Sequence, residues 1–351
     1  MFYIPMLVST FSTLREIGID LKYDHPYSYI NNELNQAVLS TIAYFDIFDL
    51  PLTDWEVYKY LWKRNLKKEV GFLDVKRVLE NNTSQFSNKE GFYFLKNRED
   101  LVEIRKQRQI IASQKYKKAR RIIKLLSILP YIKMIAVTNS LAYDNAKLAS
   151  DIDLFIVASE NKIWTARFYA NFLLKVLHLR PTAKSKQDKI CLNIFVTADN
   201  LDLQHLMIEN DIYFIYWLVK LVPIYDQEGI FKKLTAENKW LNHFILGAPD
   251  HFCHSGQSAS WRRIKNNLVR RSTKFVLEII NKFSFVEQTF KKLQLRMMPA
   301  DLKNNANKRI KENIEVVIND KMLKFHHGSK KEEFRDEWKH KIVKLLALPK
   351  L

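Results

Sequence analysis

Two acidic residues, Asp151 and Asp153, open an apolar run from Ile152 to Val157, and the pair Asn139-Ser140 closes an earlier one from Lys133 to Val137. Side chains alternate along a strand, so Asp151 and Asp153 are expected on one face while Ile152 and Leu154 point into a core. Two carboxylates held close together repel unless a cation lies between them. A hard divalent ion is the natural partner, most simply Mg2+ bridging the phosphates of a substrate. A turn at Asn139-Ser140 would add a hydroxyl and backbone N–H groups where those phosphates lie. A metal on one side and N–H donors on the other suit in-line nucleotidyl transfer.

The succession of a strand, Asn139-Ser140, a short helical segment and Ser150-Asp151-Ile152-Asp153 at the head of a second strand resembles the polymerase-β-like nucleotidyltransferase superfamily. The pattern of that superfamily is a strand, then Gly-Ser, then Asp-x-Asp opening the next strand. The resemblance covers roughly residues 130 to 200 and extends, through AYFDIFDLPLT, CLNIF and NKW, to a subset of prokaryotic nucleotidyltransferase-domain proteins. It implies that Asp151 and Asp153 are the catalytic pair holding Mg2+ and that a nucleoside triphosphate lies against Asn139, Ser140 and Ser150. It also implies a third carboxylate on a later strand.

Two positions depart from the pattern. Asn139 stands where the family has Gly; Asn tolerates the left-handed conformation, although its side chain crowds an approaching phosphate. On the later strand, Ile190 to Val196, Asn193 stands where a carboxylate is expected, and the nearest acids, Asp188 and Asp199, flank that strand. Without the third carboxylate a second metal is weakened and the acceptor hydroxyl lacks its usual base. Two functions therefore remain open. One is a transferase moving a nucleotidyl group to an unidentified acceptor, with RNA or DNA mildly favoured over a small molecule or a protein side chain. The other is a nucleotidyltransferase-type fold without turnover that binds nucleic acid or protein.

The elements that must position these residues read as α+β. Residues 30–97 give a helix from Asn32 to Phe45, a capping box at Thr53 and Glu56, a helix from Leu73 to Leu79 and, after Lys89-Glu90-Gly91, a strand from Phe92 to Leu95. Three helices followed by a strand pair is the order of a winged helix. Its second helix, Asp54 to Trp62, carries Trp55, Tyr58, Tyr60 and Trp62 and few cations, which suits docking better than reading base edges. Residues 98–130 form a basic helix bearing Arg105, Arg108, Lys115, Lys117, Lys118, Arg120, Arg121 and Lys124, with one face buried and the other a candidate for phosphate-backbone contact.

Residues 131–246 are expected to hold the small mixed-sheet core that the nucleotidyltransferase resemblance implies. A helix from Lys162 to His178 offers Trp164 and Arg167, the latter as a nucleotide phosphate contact and the former as a core residue by default. Ile212 to Tyr225 reads as one buried helix, too short to span a bilayer. Gly247 to Ser260 reads as a linker, and Asp250-His251-Phe252-Cys253-His254 within it lacks the second ligand pair of a zinc site. Residues 261–351 read as a basic, mostly helical region, with a stripe of Ile264, Leu268, Phe275, Ile279, Phe283, Val286, Phe290 and Leu293, and with Lys324-Phe325-His326-His327 as a turn.

The whole chain has 351 residues, 47% hydrophobic and 13% aromatic, enough for real cores in two or three domains. Its formal charge of +19 fits a polyanionic partner or a lysine-solvated surface equally. The two cysteines, Cys191 and Cys253, fit a reducing, cytoplasmic setting, and the start MFYIPMLVSTF lacks a basic region and cleavage site for secretion. No membrane partner is expected.

Overall fold

A computed structural model describes residues 26–247, except 65, 67, 83, 183 and 184, and residues 284–347, except 311, 312, 315 and 326–329. The chain enters as α1 (Pro26–Asp46), followed by β1 (Leu52–Thr53), α2 (Asp54–Lys59), α3 (Phe72–Asn81), β2 (Phe86–Lys89) and β3 (Phe92–Leu95). The capping box at α2 forms both ways: Thr53 Oγ1 accepts from the Glu56 N–H at 3.2 Å, and the Thr53 N–H donates to Glu56 Oε2 at 2.9 Å. The helix ends at Lys59, short of the expected Trp62. Glu90 (φ 54°) and Gly91 (φ 78°) form the two-residue turn between β2 and β3, a left-handed pair matched to the twist of a hairpin. With β1 they make a three-stranded antiparallel sheet in the order β1-β3-β2.

The long helix α4 (Leu101–Leu126) leads to β4 (Ile132–Val137), α5 (Asn139–Ala142), β5 (Ile152–Ala158), α6 (Ile163–Val176), β6 (Ile190–Thr197), α7 (Ile212–Val219), β7 (Val222–Asp226) and α8 (Ile230–Glu237). Beyond residue 283 come α9 (Ser284–Met297), α10 (Ala300–Asn304), the paired β8 (Arg309–Ile310) and β9 (Asn313–Ile314), β10 (Val316–Ile318), β11 (Met322–Phe325) and α11 (Lys331–Ala347). Six strands build the central sheet in the order β10-β11-β6-β5-β4-β7, with β5 and β6 parallel and every other pair antiparallel. The architecture is mixed helix and sheet.

Helices cover both faces of this sheet. Met134, Ala136, Phe155 and Val157 join the apolar cluster of α1, α7, α8 and α11. Their alternates Ile135, Val137, Leu154 and Ile156 join that of α4 and α6. The first cluster also takes in Leu52, Phe86 and Leu95, so residues 30–97 share a core with the central sheet.

Three expectations are corrected. The stretch Ile212 to Tyr225 is not one helix: α7 stops at Val219 and β7 follows, with Pro223 tolerated because β7 is an edge strand bonded only to β4. The central sheet does not end at residue 246, since β10 and β11 of the mostly helical C-terminal region extend it. On α9 the apolar stripe makes only part of the seam against α6: Phe290 stacks on Phe168 at 4.0 Å, but Leu293 is exposed and the buried polar residues Glu287 and Gln294 share the seam. These two polar residues serve backbone groups of α6. Glu287 accepts from the N–H groups of Trp164 (2.8 Å) and Thr165 (2.9 Å), and Gln294 donates to the Trp164 carbonyl (2.7 Å).

The N-terminal MFYIPMLVSTF, residues 248–260 of the linker with Asp250 to His254, the stripe before residue 284, and His326 and His327 lie outside the described residues. Among the described residues no helix is long and apolar enough to cross a membrane.

Candidate functional site

The acidic pair lies at one end of the sheet, where β4 finishes and the parallel strands β5 and β6 begin. Asp153 has the parity of Phe155 and Val157, so it faces the α1/α7/α11 side. Cys191 is its Cα neighbour on β6. The register then shifts: Leu154 pairs with Leu192, but Phe155 pairs with Ile194, leaving Asn193 as a bulged residue. Two positions on along the strand, Asn193 shares the face of Cys191, and the Asn193 amide N–H donates to Asp153 Oδ1. Ligand atoms of Asp151, Asp153 and Cys191 lie within 4.8 Å of one another.

The turn before α5 closes the other side. Asn139 adopts φ 54°, a left-handed conformation that Asn tolerates better than most residues. The Thr138 N–H donates to the Asp153 carbonyl at 3.1 Å, and the Asn139 side chain hydrogen-bonds the Asp153 carboxylate. Asn139 Oδ1 is buried without a partner. Ser140 is half-buried next to it on α5.

Burial and the neighbouring Asp151 push the Asp153 carboxyl up to about 7, against hydrogen bonds from Asn139, Asn193 and Cys191 that favour its charged form. Burial, Asp153 and Asp151 likewise push the Cys191 thiol up to about 12, against the pull of Arg180 and Lys186. The thiol has one proton to give, and its sulfur lies 2.8 Å from Asn193 Oδ1. Two carboxylates and a thiol gathered this closely could hold a metal ion.

The remaining site residues divide. Ser150 is a turn residue: its hydroxyl donates to the Lys147 carbonyl at 2.8 Å, and its own carbonyl accepts from Lys115 Nζ at 2.7 Å. Arg167 does not reach the acidic pair by any described contact. It donates to Gln294 Oε1 (2.6 Å), lies 4.3 Å over the Phe325 ring and keeps a buried, unpartnered Nε. Burial and the nearby Arg180 pull its guanidinium down to about 10. Trp164 is a core residue, its indole N–H donating to Asp320 at 2.8 Å.

Neither flanking acid supplies the third carboxylate. Asp188 is held by Lys115 (2.6 Å) and Lys118 (3.5 Å), and Asp199 pairs with Lys321 (3.2 Å). Among the described residues, the position is filled by Asn193 and Cys191.

Three residues escaped the sequence reading. Cys191 sits two positions before Asn193, and alternation could have found it. Arg180, whose charge acts on Asp151 and Cys191, lies in the loop after α6 with no local pattern to mark it. Tyr213 on α7 feels the charge of Asp153 and is brought there by tertiary packing alone. Comparison of the chain with protein-family models, with curated proteins and with solved structures finds no match.

Proposed function

We propose that this chain is a nucleotidyltransferase of the polymerase-β-like kind, acting on a nucleoside triphosphate with a divalent cation bound at Asp151 and Asp153. The observation that carries the reading is the convergence of Asp151 and Asp153 beside a left-handed Asn139-Ser140 turn. The donor set fits a cation: two carboxylates whose mutual repulsion it would relieve, and an amide oxygen, Asn139 Oδ1, that is buried and unpartnered. When bound, the cation would neutralise the polyphosphate and draw charge from the leaving pyrophosphate.

The chain's own residues do the positioning. Asn193 and Asn139 hold the Asp153 carboxylate by its oxygens. Ser140 offers a hydroxyl beside it, and Arg180 places a positive charge near Asp151. The N-terminal helices and hairpin, in the order of a winged helix, together with the basic helix α4, are assigned to holding the acceptor, for which nucleic acid fits the charge of +19.

A specific observation favours the second reading, a fold of this kind that binds without turnover: Asn193 neutralises the place where a base would take the acceptor's proton. Pyrophosphate release separates the two. With Mg2+ or Mn2+, an NTP and pooled RNA or DNA acceptors, the transferase releases pyrophosphate and the Asp151→Ala/Asp153→Ala variant does not. Release that is nil in the wild type, while NTP still binds through the two aspartates, leaves the binding module.

A further inference from the structure

We propose that Cys191 is a ligand of the cation site, so that the site prefers a borderline-soft divalent ion of the Zn2+ or Co2+ kind over Mg2+. The inference rests on the reading of Asp151 and Asp153 as cation ligands and narrows the class of ion they take.

Three observations converge. The β5–β6 register sets Cys191 opposite Asp153, and its sulfur is within 4.8 Å of oxygens from both aspartates. No third carboxylate approaches among the described residues, because Asp188 and Asp199 are committed to lysines elsewhere. An oxygen that belongs to neither acid, Asn139 Oδ1, is buried without a partner on a side chain already bonded to Asp153. Two carboxylate oxygens, an amide oxygen and a sulfur make a mixed set. Mg2+ requires near-octahedral oxygen donors and holds its waters, whereas a thiolate selects softer ions.

In the metal-free protein Cys191 is a thiol that donates to Asn193 Oδ1. On binding, the S–H bond breaks, the sulfur pair forms the bond to the ion, and the proton leaves to solvent. Asn193 keeps its amide N–H on Asp153, so the bulge that carries it becomes a support for the ligand set instead of a defect in a three-carboxylate site.

Titration of the full chain with Co2+, followed by absorption, tests this. The expected result is a thiolate-to-Co2+ charge-transfer band in the near ultraviolet that excess Mg2+ does not remove. Cys191→Ser should abolish the band and weaken Co2+ by on the order of tenfold or more, while Cys253→Ser retains both. Proton release gives a second measure that needs no variant: Co2+ should release about one proton more than Mg2+ at saturation.

Co2+ bound through Asp151 and Asp153 with no thiolate band, or displaced by Mg2+ at comparable concentration, overturns the cysteine ligand and leaves the two-aspartate reading standing. Failure of the wild type to bind any divalent ion sinks both.

Discussion

Asn193 occupies the position on which the chemistry turns. It donates to Asp153 with its amide N–H and accepts from the Cys191 thiol with its oxygen, so both of its polar ends are used. Replacing it with Asp would remove the donor and place a third negative charge beside two others. In chelator, Asn193→Asp should therefore destabilise the protein by about 1–3 kcal/mol. Added divalent ion should restore that loss and bind more tightly than in wild type. Melting of wild type and variant with and without cation checks this, and a loss that cation does not repair would show that the face is not a cation site. Much of this face was legible in the chain: Asp151, Asp153 and Asn139 follow from strand alternation and from the conformational tolerance of Asn. Cys191 and Asn193 share that face by the same alternation; what local periodicity does not show is the register that sets Cys191 opposite Asp153 and bulges Asn193.

Helix termini and buried ion pairs set the stability of the elements around the site. α6 has no capping bond from its own Lys162; the buried Glu287 of α9 accepts from two of its N-terminal N–H groups instead. A carboxylate at a helix N-terminus is favoured by the helix dipole as well as by the bonds. Glu287→Ala should cost about 2 kcal/mol, at the high end for loss of a cap because the site is buried. Denaturant unfolding measures it, and a loss below a few tenths would contradict this account of the α6–α9 seam.

A second element-scale prediction concerns Glu56, whose Oε1 meets Arg105 at 2.7 Å. Burial opposes its ionisation, but Arg105, Lys220 and the Thr53 N–H outweigh burial and hold the carboxyl below its usual value of 4.5. The stabilisation is therefore present above that value and lost as the pH falls through the lowered one. Glu56→Gln should destabilise by about 2–3 kcal/mol at neutral pH, less than a fully buried pair because the Glu56 side chain is 26% exposed. The gap from wild type should narrow below about pH 4 as the wild-type carboxylate protonates. A gap that stays constant down to pH 3 would refute the ion pair.

For the whole molecule, charge and architecture meet on α4. Of its predicted basic face, Arg105 and Lys115 are buried in ion pairs, and Arg108 and Lys118 are committed to Asp49 and Asp188. The density of cations that suggests phosphate contact is thus partly internal wiring between the N-terminal elements and the central sheet. Lys117, Arg121 and Lys124 remain exposed on one stripe. If nucleic acid is the acceptor, binding should weaken steeply with salt, and Lys117→Ala/Arg121→Ala/Lys124→Ala should flatten the slope of log affinity against log salt by about 2–3. An unchanged slope moves the contact off α4. Apart from the two-residue β1, element order through β6 could be read from the chain. The entry of β10 and β11 into the sheet and the strand after Val219 could not, since short strands take their identity from the neighbours they pair with.

The most direct test of the account is thermal melting of the full chain with a nucleoside triphosphate, with and without divalent cation, in wild type and in Asp151→Ala/Asp153→Ala. The account predicts a rise in Tm that needs both triphosphate and cation and is absent from the double variant. The same rise in the variant, or one indifferent to cation, would contradict it.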